Sequence, residues 1–225
     1  MSEIINGIKI GTDKYGNCYG PQVVTPVGRV MYVNLATPSM FNDKAKYSIN
    51  LLLEKTEENK KVLLEEVLPL STAALTAFYK SEAAIPEVMP SMPFIDGDQP
   101  DAEGKLNEAQ KGCWVFRAAS GEPLAEAAVL DYDCKPYDPA KILGGMFCKL
   151  VMHPMAFKYS KQSFGLVWKL DQVQYIGDDG VRLKGAVPVG NLLTPTTKIS
   201  VPTAGLAPVS ASTAPAGERK GLSSL

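Results

Sequence analysis

Two stretches of this chain alternate residue by residue between apolar and polar side chains, and this period of two constrains the fold more than any other feature. Over residues 46–53, Tyr47, Ile49, Leu51 and Leu53 fall on one side and Lys46, Ser48 and Asn50 on the other. Over 145–153, Met146, Cys148, Leu150 and Met152 face one way, and Phe147, Lys149, Val151 and His153 the other. Successive side chains of a strand point to opposite faces, so each stretch predicts a strand with one face on a core and one face wet. Residues 28–35 are rich in β-branched and aromatic side chains and predict another strand. The turn residues Asn42-Asp43-Lys44 then make 28–53 a hairpin with a long loop. Residues 114–118 predict a short strand. Residues 164–176 predict a long one, closed by Gly-Asp-Asp-Gly at 177–180, and 181–183 a short final one.

One helix interrupts the strands. Val62, Leu63, Val67, Leu70 and Leu75 recur near helical spacing across 57–78, Thr56 supplies an N-cap, and Pro69 predicts a kink or break. Residues 82–110, rich in Pro, Asp, Glu and Gly, read as a long irregular loop, and 136–145 as a connection. About five strands with one helix between the early and late ones predict a mainly β protein. The pattern is that expected of an OB-fold, a small Greek-key β-barrel, with an inserted helix, long loops and a disordered C-terminal tail, although strand count alone does not distinguish a barrel from a sandwich. The boundary falls where the composition changes. Residues 1–189 form the domain, and 190–225, mostly Pro, Thr, Ala, Ser and Gly, are too poor in large apolar groups to order themselves.

The formal net charge of -1 excludes a uniformly basic nucleic-acid coat, but the charge is uneven. From 82 to 138 only Lys105, Lys111, Arg117 and Lys135 oppose the acids. From 141 to 184 only Asp171, Asp178 and Asp179 oppose the bases. The N-terminus lacks the pattern of a signal peptide, and no apolar run approaches the ~20 residues that span a bilayer. A cytoplasmic protein without membrane contact is expected. Cys18, Cys113, Cys134 and Cys148 are widely spaced and predict free thiols with no zinc site.

Function points to residues 147–169, where Phe147, Lys149, Phe157, Lys158, Tyr159, Lys161, Phe164, Trp168 and Lys169 interleave flat rings with positive charge. Single-stranded nucleic acid needs both within one groove: aromatics to stack bases and cations to neutralise phosphates. Residues 154–163 read as an exposed connecting loop carrying Phe157-Lys158-Tyr159. Lys149 and Phe147 share the wet face of the preceding strand. Arg29, Tyr32 and Lys46 are further candidates. Trp114 and Phe116 alternate with Val115 and Arg117, and periodicity leaves open which pair faces in.

Other chemistries fit poorly. Asp96-Gly-Asp98 followed by Asp101 and Glu103 fails the EF-hand pattern, because Pro100 stands where a ligand belongs and Asn107 replaces the final Glu; a solvated acidic loop is expected. Asp131 and Asp133 lack a third acid for a nuclease-like metal site. His153, the one histidine, and Cys148 belong to opposite faces of one strand. No Gly-Lys-Ser/Thr phosphate loop occurs. No catalytic residues, metal or cofactor are expected, and the chain reads as a non-enzyme.

Several segments resemble a family of phage single-stranded DNA-binding proteins of the OB-fold class. They are Thr25-Pro-Val-Gly-Arg-Val-Met-Tyr-Val-Asn-Leu35 with Phe41 and Lys46-Tyr-Ser-Ile-Asn-Leu-Leu-Leu53, then Phe94-Ile-Asp-Gly-Asp98, then Gly144-Gly-Met-Phe-Cys-Lys-Leu-Val151 and Phe164-Gly-Leu-Val-Trp-Lys-Leu-Asp-Gln-Val-Gln174. Together they cover roughly 20–185. The resemblance implies a protein that coats and protects single-stranded DNA in phage replication or recombination, with replication or recombination proteins as further partners. Arg29, Lys46, Lys149, Lys158, Lys161 and Lys169, with Arg117, would meet phosphates. Tyr32, Phe147, Phe157 and Tyr159, with Trp114 and Trp168, would meet bases. The chain ends Gly217-Glu-Arg-Lys-Gly-Leu-Ser-Ser-Leu225, without the acidic run through which this class often recruits partners. The residues leave open a protein-interaction or phage structural module, a metal-dependent nuclease, RNA in place of DNA, and the oligomeric state, a homodimer included.

Overall fold

The computed structural model describes residues 2–41, 43–87, 94–100, 104–161 and 163–183. The tail expected at 190–225 lies outside them. In chain order the strands are β1 (Ser2–Ile5), β2 (Ile8–Thr12), β3 (Cys18–Tyr19), β4 (Val23–Val24), β5 (Gly28–Phe41), β6 (Lys44–Glu54), β7 (Phe94–Asp96), β8 (Cys113–Ser120), β9 (Val129–Leu130), β10 (Phe147–Lys158) and β11 (Phe164–Gly177).

Five of them close a ring. β5 pairs with β6, β6 with β8, β8 in parallel with β11, β11 with β10, and β10 back onto β5. This is the barrel expected from the order of strands and helix, and closure satisfies the strand edges that an open sheet would expose. The alternation holds in detail. Ile49, Leu51 and Leu53 of β6 and Cys148, Leu150 and Met152 of β10 are buried in one core with Val30, Phe116, Trp168 and Leu170. In β8 it is Trp114 and Phe116 that turn toward this core.

Strands β1 to β3, which no sequence pattern announced, extend the sheet beyond β10. Ile10 and Cys18 from this hairpin pack with Ala73, Ala74, Leu75 and Ala77 of the helix and with Ala156 and Leu166 of the barrel. The helix runs unbroken from Glu57 to Tyr79. Thr56 Oγ1 accepts the Asn59 N–H at 3.2 Å, the expected cap. The break expected at Pro69 does not occur. A π segment, Leu63–Val67, precedes the proline, and the Leu68 N–H reaches the Leu63 carbonyl. Widening the turn there accommodates a ring that would strike an α-helical carbonyl.

Four connections differ from expectation. β5 continues to Phe41, so the hairpin with β6 is tight and not long-looped. The region 82–110 contains β7 and two short 3-10 turns at Glu82–Ala84 and Glu108–Gln110. Residues 181–183 form no strand; the Leu183 N–H donates to the Gly144 carbonyl instead. The loop expected at 154–163 shrinks to a tight turn, because β10 runs on to Lys158 and the Tyr159 N–H already donates to the Ser163 carbonyl at 2.8 Å.

Candidate nucleic-acid interface

The polar edge of the alternation in β6 becomes one wall of a groove. Antiparallel pairing sets Ser48 opposite Ala119 and Asn50 opposite Arg117, and parallel pairing sets Lys169 of β11 beside Ala119. Strand β10 lies next to β11 with Met155 opposite Val167 and Phe157 opposite Gly165. These outward positions enclose a groove of about 380 Å³, lined by Lys46, Ser48 and Asn50, by residues 117–121, by Met155, Phe157 and Tyr159, and by residues 167–169. Ala119, Ser120 and Gly121 contribute only small side chains, or none, to its lining.

The groove brings together six of the residues that sequence singled out: Lys46, Arg117, Phe157, Tyr159, Trp168 and Lys169. Its electrostatics are one-sided. Among the described residues no acidic side chain lines it, and Lys46, Arg117 and Lys169 have no ion-pair partner. Elsewhere cations are committed, as Lys55 is to Asp96 and Asp98, Lys80 to Glu3, and Arg182 to Asp178. Unneutralised cations in a concave site raise the local concentration of anions.

The aromatic contributions differ from expectation. Tyr159 is 70% exposed at the mouth, as the pattern predicts. Phe157 is buried beneath it, with the ring centroids 5.0 Å apart. Gly165 across the ladder has no side chain and a φ of 139°, which leaves room for that ring. Trp168 borders the groove from below with its indole wholly buried, so it offers no face for stacking. Lys158 lies 6.0 Å from the Phe164 ring, and Lys161 is exposed on the turn.

The remaining candidates lie elsewhere. Arg29 grips Asp179 through both terminal nitrogens at 2.9 and 2.7 Å, donates to the Gly145 carbonyl at 2.7 Å and stacks 4.3 Å from the Phe147 ring. The pair is thus engaged within the protein and lies outside the groove. The hydrogen bonds from Arg29 hold the Asp179 carboxyl far below the usual carboxylate range. Lys149 is half-buried opposite Gln174. Trp114 packs half-buried on the core. Tyr32 is 41% exposed at an irregularity in β5, with a φ of 50°.

The acidic clusters are structural. Asp96 and Asp98 clamp Lys55, so the segment expected to be a solvated acidic loop is pinned to the end of β6. Asp131 Oδ1 accepts the N–H groups of Asp133 and Lys135 and closes its own turn. His153 Nδ1 lies 2.8 Å from Asp171 Oδ2 on the outer face, while Cys148 is buried inside.

The profile of a family described as the ssDNA-binding protein of Enterobacter phage Enc34 matches residues 21–190. The chain belongs to this family. No curated protein sequence matches it. Its fold is similar to that of the single-stranded DNA-binding protein from bacteriophage Enc34 in complex with ssDNA, at 22% identity and a TM-score of 0.55, over 78% of this chain and 98% of that one. A C-terminal truncation of the same phage protein matches at 22% identity and a TM-score of 0.53, over 76% and 96%. The single-stranded DNA-binding protein gp2.5 encoded by bacteriophage T7 is also similar, at 16% identity and a TM-score of 0.50, over 77% and 98%. Membership of the family accords with the barrel topology described above.

Sequence reasoning missed Asn50, Ser48, Met155 and Val167 as groove residues. The signal was present for two of them, since the alternation of β6 puts Ser48 and Asn50 on one face with Lys46.

Proposed function

We propose that this protein binds single-stranded DNA in the groove of β6, β8, β11 and the β10–β11 turn. The observation that carries this reading is the meeting of three cations and an exposed tyrosine in one concave surface where, among the described residues, the cations have no ion-pair partner and no acid lines the wall. That surface is built from the second and third barrel strands and the last hairpin turn, the region where OB barrels hold oligonucleotides. Membership of a family named for an ssDNA-binding protein supports it.

In this reading Lys46 and Lys169 neutralise phosphates along the two walls, and Arg117 adds charge further in. Tyr159 stacks a base at the mouth, and Phe157 holds its ring in place from below. Lys158 and Lys161 flank the turn and draw the backbone toward it. Residues 1–189 carry the activity. The protein acts stoichiometrically, without catalysis. It coats and protects strands exposed during phage replication or recombination in the host cytoplasm. Contacts to charge and ring faces recognise the single-stranded state more than its sequence.

The test is fluorescence anisotropy of a labelled oligo-dT titrated with the full chain at low and high salt, with duplex DNA as competitor and oligo-rU alongside. Saturable binding that weakens with salt and resists duplex is the expected result. No change in anisotropy at low salt overturns the proposal.

A further inference from the structure

One end of the groove differs from the rest. Asn50 and Arg117 stand directly opposite each other in the β6–β8 ladder, and both line the groove. Opposed residues on one face of an antiparallel pair have Cβ atoms only about 5 Å apart, so the amide and the guanidinium share one small volume. Neither side chain makes a hydrogen bond or ion pair within the described residues. The next outward positions, Leu52 and Val115, are sealed into a cluster with Met31, Ile95 and Ala109. The groove therefore stops at Asn50 and Arg117. A strand laid along it ends against a wall carrying an amide donor and acceptor and a fork of guanidinium donors, none of them satisfied by the described residues.

We propose that this end is a base-reading subsite that takes the N7 edge of a purine. It rests on the single-strand reading above and adds a preference that the cations and Tyr159 do not supply. Arg is suited to the O6 and N7 of guanine, and Asn to the N6 and N7 of adenine. In a single strand that edge is open to either. The small side chains of Ala119, Ser120 and Gly121 let a base slide to the wall. The two residues thus bias where along a strand each copy of the protein comes to rest.

The experiment compares the full chain on labelled dT oligonucleotides of about 12 nucleotides, within the usual span of an OB barrel. One is all dT, one carries a central dG, one a central dA, and one a central 7-deaza-dG, which keeps the stacking surface and lacks N7. The dG and dA oligonucleotides are expected to bind about 5-fold tighter than all-dT or more, and 7-deaza-dG to lose most of that gain. Asn50→Ala and Arg117→Lys, each checked by thermal unfolding, should bring the purine oligonucleotides toward all-dT. Tyr159→Ala should weaken every oligonucleotide and keep their order. Equal binding of all four oligonucleotides overturns the subsite and leaves single-strand binding intact. A gain retained by 7-deaza-dG also overturns it, since stacking alone then explains the preference. Binding of none overturns both proposals.

Discussion

Tyr159 lies over Phe157 with ring centroids 5.0 Å apart and planes inclined at 39°, one ring 70% exposed and the other 7%. The two rings thus divide a single task. The outer one is free to meet a ligand and the inner one is part of the packed protein. Tyr159→Ala should weaken oligo-dT binding by ~1–3 kcal/mol with no change in urea midpoint. Phe157→Ala should cost about 3 kcal/mol of stability or more, because it empties a buried site. Parallel anisotropy and urea titrations check both, and unchanged affinity in Tyr159→Ala removes the turn from the interface.

Salt dependence separates cations that meet phosphate from those that do not. Each phosphate neutralised on a single strand contributes about −0.7 to the slope of log K against log salt. Lys46→Ala and Lys169→Ala should each reduce that slope by roughly this amount. Arg29→Ala should leave it unchanged, since Asp179, the Gly145 carbonyl and Phe147 already occupy the guanidinium.

The Arg29–Asp179 link also sets a pH response. Hydrogen bonds from Arg29 depress the Asp179 carboxyl in the folded chain. A depressed carboxyl contributes stability above its unfolded value, about 3.9, and loses it as pH falls toward the folded value. The stability gap between the parent and Asp179→Asn should be the same at pH 7 and pH 5 and narrower near pH 3. Urea unfolding at those three values measures it. A gap that narrows between pH 7 and pH 5 contradicts the assignment.

The thiols should sort by burial. Desolvation pushes the Cys148 thiol up to about 12, and it is completely inaccessible. Cys18 is buried as well, whereas Cys134 is exposed on its turn. A thiol reagent at neutral pH should show a rapid phase that disappears in Cys134→Ser, with Cys18 and Cys148 reacting only on unfolding.

Much of the barrel was legible because its strands are wet on one face. The alternation over 46–53 and 145–153 returned the inward residues Ile49, Leu51, Leu53, Met146, Cys148, Leu150 and Met152, while Tyr47, expected on the same face, is only half-buried and outside the core cluster. What sequence did not reveal was geometry that depends on neighbours. Phe157 is buried opposite Gly165 across the ladder, a neighbour eight residues on in sequence and invisible to any local pattern. Trp168 looked like a stacking candidate because it alternates with lysine, yet that same alternation turns Lys169 out and the indole in. Arg29 looked like a free cation until the fold brought Asp179 to it. The N-terminal strands are only two to five residues long, too short for their alternation to stand out in the sequence.

The parallel contact between β8 and β11 joins Ala118 to Trp168 and Ala119 to Lys169, and it is the seam that closes the ring. Arg117 lies on the earlier side of that seam and Lys169 on the later. During synthesis the ribosome must deliver almost the whole barrel before the two walls exist together. A nascent or truncated chain lacking β11 carries Lys46, Asn50 and Arg117 but no groove. The groove is thus a property of the finished barrel, assembled only when the last strand arrives.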